Sequence, residues 1–281
     1  MGRPTADATL PDRLNVDRPN VDRPNVDRPN VDRPNVDRPN VSRVDRLNVD
    51  RPNVDRPNVS RVDLHCHTRA SRDSIADPVA LLTRAVERGL THLAITDHDT
   101  IDGALRAAAS APEGLTVIVG CEVLTTGGDL ILLFLERPIP MGLSPREAIV
   151  AGREQGALIG IPHPYDPGRR SLLLDPANEA LLTEVDWVET WNGRVGRQQW
   201  NEQAATLARR RSIPGIGVSD AHALLEVGTI YTMMTGDPST PAGLLAALRE
   251  RPVIVGPEPV AEPGRLRRLL RPRTGHTGAA R

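Results

Sequence analysis

Of the seven histidines in this 281-residue chain, five sit in short motifs that mostly carry carboxylates as well. The motifs are His65-Cys66-His67, Asp97-His98-Asp99, Pro162-His163-Pro164 and Ser219-Asp220-Ala221-His222, with Glu122 between the second and the third. Neutral imidazole and carboxylate together are the ligand set of catalytic zinc, manganese or iron, so four such motifs in one region point to a multinuclear metal site. His65 and His67 are two apart, so on a strand they share a face and can clamp one ion; the alternative is an ordinary polar pair. Asp220 and His222 repeat that spacing near the other end of the region. Asp63 has the parity of the first pair and can orient an imidazole through its second nitrogen. Asp73, in Ser71-Arg72-Asp73-Ser74, is either a ligand or a turn residue. Asp97-His98-Asp99 either caps the helix that follows or ligates, and its histidine favours ligation. Glu122 is a lone carboxylate, a ligand candidate by position only. His163, between two prolines, sits on stiff backbone that suits a fixed ligand. His92 and His276 fall outside the set.

These residues need a frame that delivers them to one place. From Arg61 onward, short apolar runs alternate with longer amphipathic ones. Strands are expected at Val62–Leu64, His92–Thr96, Thr116–Val119, Leu130–Leu135, Ala157–Ile161, Val185–Glu189 and Ile213–Val218. Helices are expected from Pro78 to Gly89, with Asp77 as cap and Gly89 as stop, and over Pro145–Gln155 and Gln198–Arg211. A motif follows most strands. This is βα alternation with the chemistry at strand C-termini, the arrangement of a barrel or a wound parallel sheet. About 200 residues is short for eight βα units, so a reduced or distorted barrel fits better.

Residues 1–60 cannot share in that core. Seven copies of Asn-Val-Asp-Arg-Pro begin at Asn15, Asn20, Asn25, Asn30, Asn35, Asn48 and Asn53. Each holds one small apolar residue, and the recurring proline removes a donor and disfavours helix before it. The segment reads as a disordered spacer. The catalytic domain is expected over 61–257, and 258–281 as a basic, flexible tail. A net charge of −1 gives no argument for nucleic acid or anionic membrane. Two cysteines and no signal or spanning stretch suggest a reduced, cytoplasmic protein. No obligate protein partner is evident.

The run Val62-Asp63-Leu64-His65-Cys66-His67-Thr68, then Ala94-Ile95-Thr96-Asp97-His98-Asp99-Thr100, Pro162-His163-Pro164 and Ser219-Asp220-Ala221-His222, resembles the PHP (polymerase and histidinol phosphatase) family. Leu133-Phe134-Leu135-Glu136-Arg137-Pro138 and His163-Pro164-Tyr165-Asp166 are similar to its small stand-alone phosphoesterases. The resemblance implies an α/β fold, a distorted (βα)7 barrel, with two or three divalent ions (Mn, Zn or Fe). By that analogy His65, His67, Glu122 and Asp220 hold one ion and carry the catalysis. Glu122 bridges to a second ion that also takes His163, and Asp73, His98 and His222 hold a third. Where many family members carry a further histidine on the strand after the glutamate, this chain has Asp129. The implied reaction is phosphoester hydrolysis of a small phosphorylated metabolite or nucleotide by metal-activated water. Arg169, Arg170 and Arg194 are candidates for gripping phosphate oxygens, against a reading as solvated surface arginines. Nuclease action on oligonucleotide ends is less favoured, since the chain has three Trp, two Tyr and one Phe and no extended basic stretch in the domain. A non-catalytic metal-binding scaffold is the third reading.

Overall fold

A computed structural model describes residues 58–256. The repeat segment up to residue 57 and the tail from 257 lie outside the described residues. Nine strands form one sheet: β1 (Val59–Asp63), β2 (His92–Ile95), β3 (Thr116–Thr125), β4 (Gly128–Leu133), β5 (Leu158–Ile161), β6 (Trp187–Asn192), β7 (Gly215–Val218), β8 (Tyr231–Thr235) and β9 (Val253–Val255). Their order is β7-β6-β5-β4-β3-β2-β1-β8-β9. Five α-helices accompany them among the described residues: α1 (Pro78–Glu87), α2 (Asp102–Ala108), α3 (Pro145–Arg153), α4 (Gln198–Arg211) and α5 (Pro241–Arg249).

Local signals account for the helix ends. The Asp77 carboxylate accepts from the N–H groups of Val79 and Ala80, and Ser144 forms a capping box with Glu147. Gly89 turns the chain out of α1 at φ +70°. Strands β2 and β5 are buried throughout, as expected where both faces are covered. The sheet departs from uniform βα alternation at two places. Strands β3 and β4 form an antiparallel hairpin, and β4 is also antiparallel to β5. Strand β8, for which the motifs give no signal, returns antiparallel to β1.

The barrel is nearly closed, by two devices other than a regular ladder. The Thr232 hydroxyl of β8, fully buried, donates to the Gly217 carbonyl of β7 at 2.8 Å and accepts the Gly217 N–H at 2.9 Å. Beyond the strand ends, Cys66 bridges Ala221 in parallel register, and the His67 N–H donates to the Ala221 carbonyl at 2.8 Å. That bridge sets the chain's first histidine pair beside its last Asp-His pair, more than 150 residues later. The interior is packed by aliphatic side chains and by Trp187, whose indole lies so close to Gly160 that a Cβ there would stand 2.1 Å from the ring.

Candidate metal centre

His65 and His67 leave the end of β1, His98 follows β2, Glu122 and Asp129 lie within β3 and β4, His163 follows β5, and Asp220 and His222 follow β7. With Asp73 they gather at one end of the barrel, all buried except Asp73 and His98. Three groups have ligand atoms within 4.8 Å of one another: His65, His67 and Asp220; Glu122, Asp129 and His163; and His67, Asp73, His98 and His222. Asp129 therefore faces the cluster rather than solvent. Two of the residues pay in backbone strain for their place: His163 has φ 27° and Asp220 φ 53°, a left-handed region that costs a non-glycine residue about 1 kcal/mol or more.

The hydrogen-bond network tests whether these groups fit a cation. His65 Nδ1 lies 2.7 Å from Glu189 Oε1, an acceptor, so this nitrogen carries the proton and Nε2 presents a lone pair. The Ser71 hydroxyl donates to Asp97 Oδ1 at 3.0 Å, so its oxygen accepts from His67 Nδ1, 3.1 Å away, and His67 Nε2 is likewise a lone pair. Those two Nε2 atoms are 2.9 Å apart. Around them lie Glu122 Oε2, at 3.2 and 3.3 Å, and Asp220 Oδ1, at 3.5 Å from both. Four acceptors this close repel unless a cation, proton or metal, sits among them. The spacings match the roughly 3.3 Å edge of a tetrahedron with metal–ligand bonds of about 2.0–2.1 Å. Asp220 Oδ1 is buried and has no hydrogen-bond partner, whereas Oδ2 accepts from Arg169 at 2.8 Å and Asn192 at 3.0 Å.

The other two groups repeat the pattern. The Ser171 hydroxyl donates to a backbone carbonyl, so Oγ accepts from His163 Nδ1, leaving Nε2 facing Glu122 Oε1 at 2.9 Å. Asp129 Oδ1 is a second buried oxygen without a hydrogen-bond partner. His222 Nδ1 donates to the Asp220 carbonyl at 2.9 Å, so its Nε2 faces Asp73 Oδ2 at 3.3 Å, as does His98 Nε2. The donor set and its unpartnered atoms fit divalent cations.

Charge tells the same story. Burial pushes the His65 imidazole down, but the carboxylates of Asp220, Glu189 and Glu122 outweigh it and hold it well above its usual range. Burial pushes Glu122 and Asp220 up, and the facing imidazoles, with Arg169 for Asp220, bring both below the usual carboxylate range. Asp129 is pushed up to about 7 by burial and by the Glu122 charge. Protons and metal thus compete for the same atoms.

Several roles differ from expectation. Asp63 orients no histidine. Its oxygens accept from the Ser219 N–H (3.0 Å) and hydroxyl (2.5 Å) and from the Gly228 N–H (3.3 Å), tying β1 to the loop that carries Asp220. Asp97 and Asp99 hold backbone: Asp97 accepts from Thr68 and Ser71, and Asp99 from the Leu124 N–H. Arg169 reaches the cluster through Asp220. Arg170 donates to the Thr125 carbonyl at 2.8 Å and lies 3.7 Å from Asp129. Arg194 pairs with Glu226 at 3.1 Å, and Glu226 in turn accepts from the His222 N–H at 2.8 Å. Glu189 and Asn192, which the motifs did not single out, touch the cluster directly. Cys66 and Cys121 are free and buried, and among the described residues no helix is long and apolar enough to cross a membrane.

An α/β barrel with imidazole and carboxylate donors converging at one end carries the donor set of a metal-dependent hydrolase. The chain belongs to the PHP family: its residues 63–171 match the PHP domain, and 198–253 match the PHP-associated domain. It is 38% identical over 141 residues to an uncharacterized protein of Methanocaldococcus jannaschii, covering 46% of this chain and 80% of that one. It is 35% identical over 117 residues to a 5'-3' exoribonuclease of Haemophilus influenzae, covering 37% of this chain and 42% of the relative. A 3',5'-nucleoside bisphosphate phosphatase of Chromobacterium violaceum is 37% identical over 92 residues, 32% of this chain and 30% of the relative. The chain thus spans less than half of either relative with a named activity. In fold it is similar to a two-domain protein of Bacteroides vulgatus containing a predicted PHP-like metal-dependent phosphoesterase, with a TM-score of 0.60, 19% identity, and coverage of 70% of this chain and 65% of that one.

Proposed function

We propose that the protein hydrolyses a phosphoester of a small phosphorylated metabolite or nucleotide. The observation that carries this reading is the convergence of lone pairs and unpartnered carboxylate oxygens from His65, His67, Glu122, Asp129, His163 and Asp220 in one buried space. In this reading His65, His67, Glu122 and Asp220 hold one cation, Glu122, Asp129 and His163 a second, and Asp73, His98 and His222 a third. Manganese, zinc and iron suit the mixed donors. When bound, divalent cations neutralise phosphate charge and make water a competent nucleophile at neutral pH.

The chain's own residues do the rest. Arg169, one-fifth exposed and held on Asp220, is placed to turn its free donors to a phosphate oxygen at the rim. Arg170, half exposed beside Asp129, is a second candidate, whereas the pairing of Arg194 with Glu226 weighs against a role in gripping substrate. The buried walls of the site exclude bulk water, which strengthens each charge interaction. Action on oligonucleotide ends uses the same chemistry and is supported by the likeness to an exoribonuclease; the scarcity of aromatic residues for base stacking weighs against it.

The test is to purify the chain anaerobically, measure its metal content, and assay a panel of nucleoside monophosphates, bisphosphates, sugar phosphates and short oligonucleotides. His65→Ala and Asp220→Ala should each lower bound metal and abolish turnover while the barrel still unfolds cooperatively. A variant with full metal content and full rate would refute the assignment.

A further inference from the structure

We infer that Glu189 and Asn192 are positioning residues of the metal centre, brought to the same side of β6 by a bulge at Thr190, and that Glu189 selects the nitrogen through which His65 binds its cation. The inference rests on the reading that His65, His67 and Asp220 hold a cation.

Residues three apart on a regular strand point to opposite faces. Glu189 and Asn192 do not. Glu189 pairs with Ile216 and Trp191 with Gly217, so Thr190 is an extra residue opposite β7, and the chain beyond it is turned to the other face. Thr190 is accommodated because its partner strand starts with a glycine: a Cβ on Gly215 would stand 2.6 Å from Thr190 Cγ2. The Thr190 hydroxyl also donates to the Ile216 carbonyl at 3.3 Å.

The consequence is a buried polar hub. Glu189, 1% exposed, accepts from His65 Nδ1 at 2.7 Å through one oxygen. Its other oxygen accepts from the His163 N–H at 2.9 Å and from Asn192 Nδ2 at 2.8 Å. Asn192 gives its second amide hydrogen to Asp220 Oδ2 at 3.0 Å. One carboxylate on β6 thereby links the ends of β1 and β5 and, through Asn192, that of β7. Each link has a chemical effect. An acceptor at Nδ1 leaves His65 Nε2 as the lone pair facing His67. The bond to the His163 N–H holds that residue in its left-handed backbone. Asn192, with Arg169, occupies Asp220 Oδ2 and leaves Oδ1 without a partner. Among the described residues no arginine stands within ion-pair distance of Glu189, so its charge is balanced first by His65 and the cation beyond it, with Arg169 and His163 farther off.

The experiment uses the full chain, stripped with chelator. Zn2+ and Mn2+ affinities are measured by chelator competition, the His65 tautomer by nitrogen-15 imidazole NMR of the zinc-loaded protein, and stability by thermal unfolding of the stripped form. Glu189→Gln keeps the shape but cannot accept at every position. Its stripped form should melt within a few degrees of wild type, while the variant binds metal about 10- to 100-fold more weakly and, zinc-loaded, loses the single Nδ1–H tautomer of His65. Gly215→Ala should weaken metal binding similarly by pushing the bulge, and Thr190→Ala in that background should restore it. Unchanged affinity and tautomer in Glu189→Gln would overturn the inference, as would an affinity loss matched by lost stability of the stripped form. Failure of Thr190→Ala to rescue Gly215→Ala would remove the bulge from it. A wild-type chain that binds neither metal would instead overturn the reading on which the inference rests.

Discussion

Arg169→Met gives a result of non-obvious sign. In the structure the guanidinium stands 2.8 Å from Asp220 Oδ2, with Asp220 fully buried and Arg169 one-fifth exposed. Methionine keeps most of the aliphatic packing and removes the charge. A hydrogen bond between charged groups contributes about 1.5–3 kcal/mol, and stranding a buried partner can raise the loss toward about 3–5 kcal/mol. Here the lower range applies, because Asn192 still holds Oδ2 and the imidazoles of His65 and His67 also face this carboxylate. For a domain of this size each kcal/mol shifts Tm by about 2–4 °C, so the stripped variant should melt about 3–12 °C below wild type. In the loaded protein the cation replaces the lost positive charge and no longer meets repulsion from the guanidinium. The penalty therefore falls mainly on the stripped form, and by linkage metal should bind the variant about 10- to 100-fold more tightly. Chelator competition with Mn2+ and melting with and without EDTA measure both quantities, and kinetics should show a raised KM for phosphoester. Weaker metal binding in Arg169→Met, with an unchanged stripped Tm, would refute the reasoning.

Asp129→His should raise zinc affinity relative to manganese, since imidazole is the softer donor, while Asp129→Ala should lower metal stoichiometry; unchanged content and rates in both would place Asp129 outside the site. Asp63 is raised by burial from 3.8 to about 6. Between those values the folded chain holds a proton that the unfolded chain has lost, so this group makes stability fall as pH rises through that window. Asp63→Asn should remove that slope in urea unfolding with EDTA; an identical pH profile would contradict the shift. Finally, the segment from 61 to 257 is expected to fold and hydrolyse without residues 1–60, and loss of cooperative melting on deletion would refute the spacer reading of the repeat.

Much of the fold could be read from the chain because its signals are local. The Asp77 cap, the Gly89 stop and the apolar runs before each motif gave α1, β2 and β5 nearly to the residue, and spacing of two placed His65 and His67 together. What could not be read depends on partners far away. The β3–β4 hairpin was missed because Glu122 sits in mid-strand, and a buried apolar run carries no mark of its direction. Strand β8 follows the last motif and is defined by pairing with β1 and by Thr232 bonding to β7. Glu189 and Asn192 escaped notice because a period of two sends them to opposite faces, and only the register against Gly215 and Ile216 reveals the bulge. Asp63 has the right parity to reach a histidine, yet Ser219 and Gly228 claim its oxygens. Arg194 is, by sequence, either a phosphate candidate or a solvated surface arginine, and its pairing with Glu226 is visible only in the fold.

The central claim, that divalent cations occupy the space between these lone pairs, is tested most directly by anomalous diffraction from manganese- and zinc-soaked crystals at the respective absorption edges. The account predicts a peak about 2.0–2.2 Å from His65 Nε2, His67 Nε2 and Asp220 Oδ1, with a further peak against Glu122, Asp129 and His163. A fully soaked crystal with no peak inside this cluster, or with peaks only elsewhere on the protein, would contradict it.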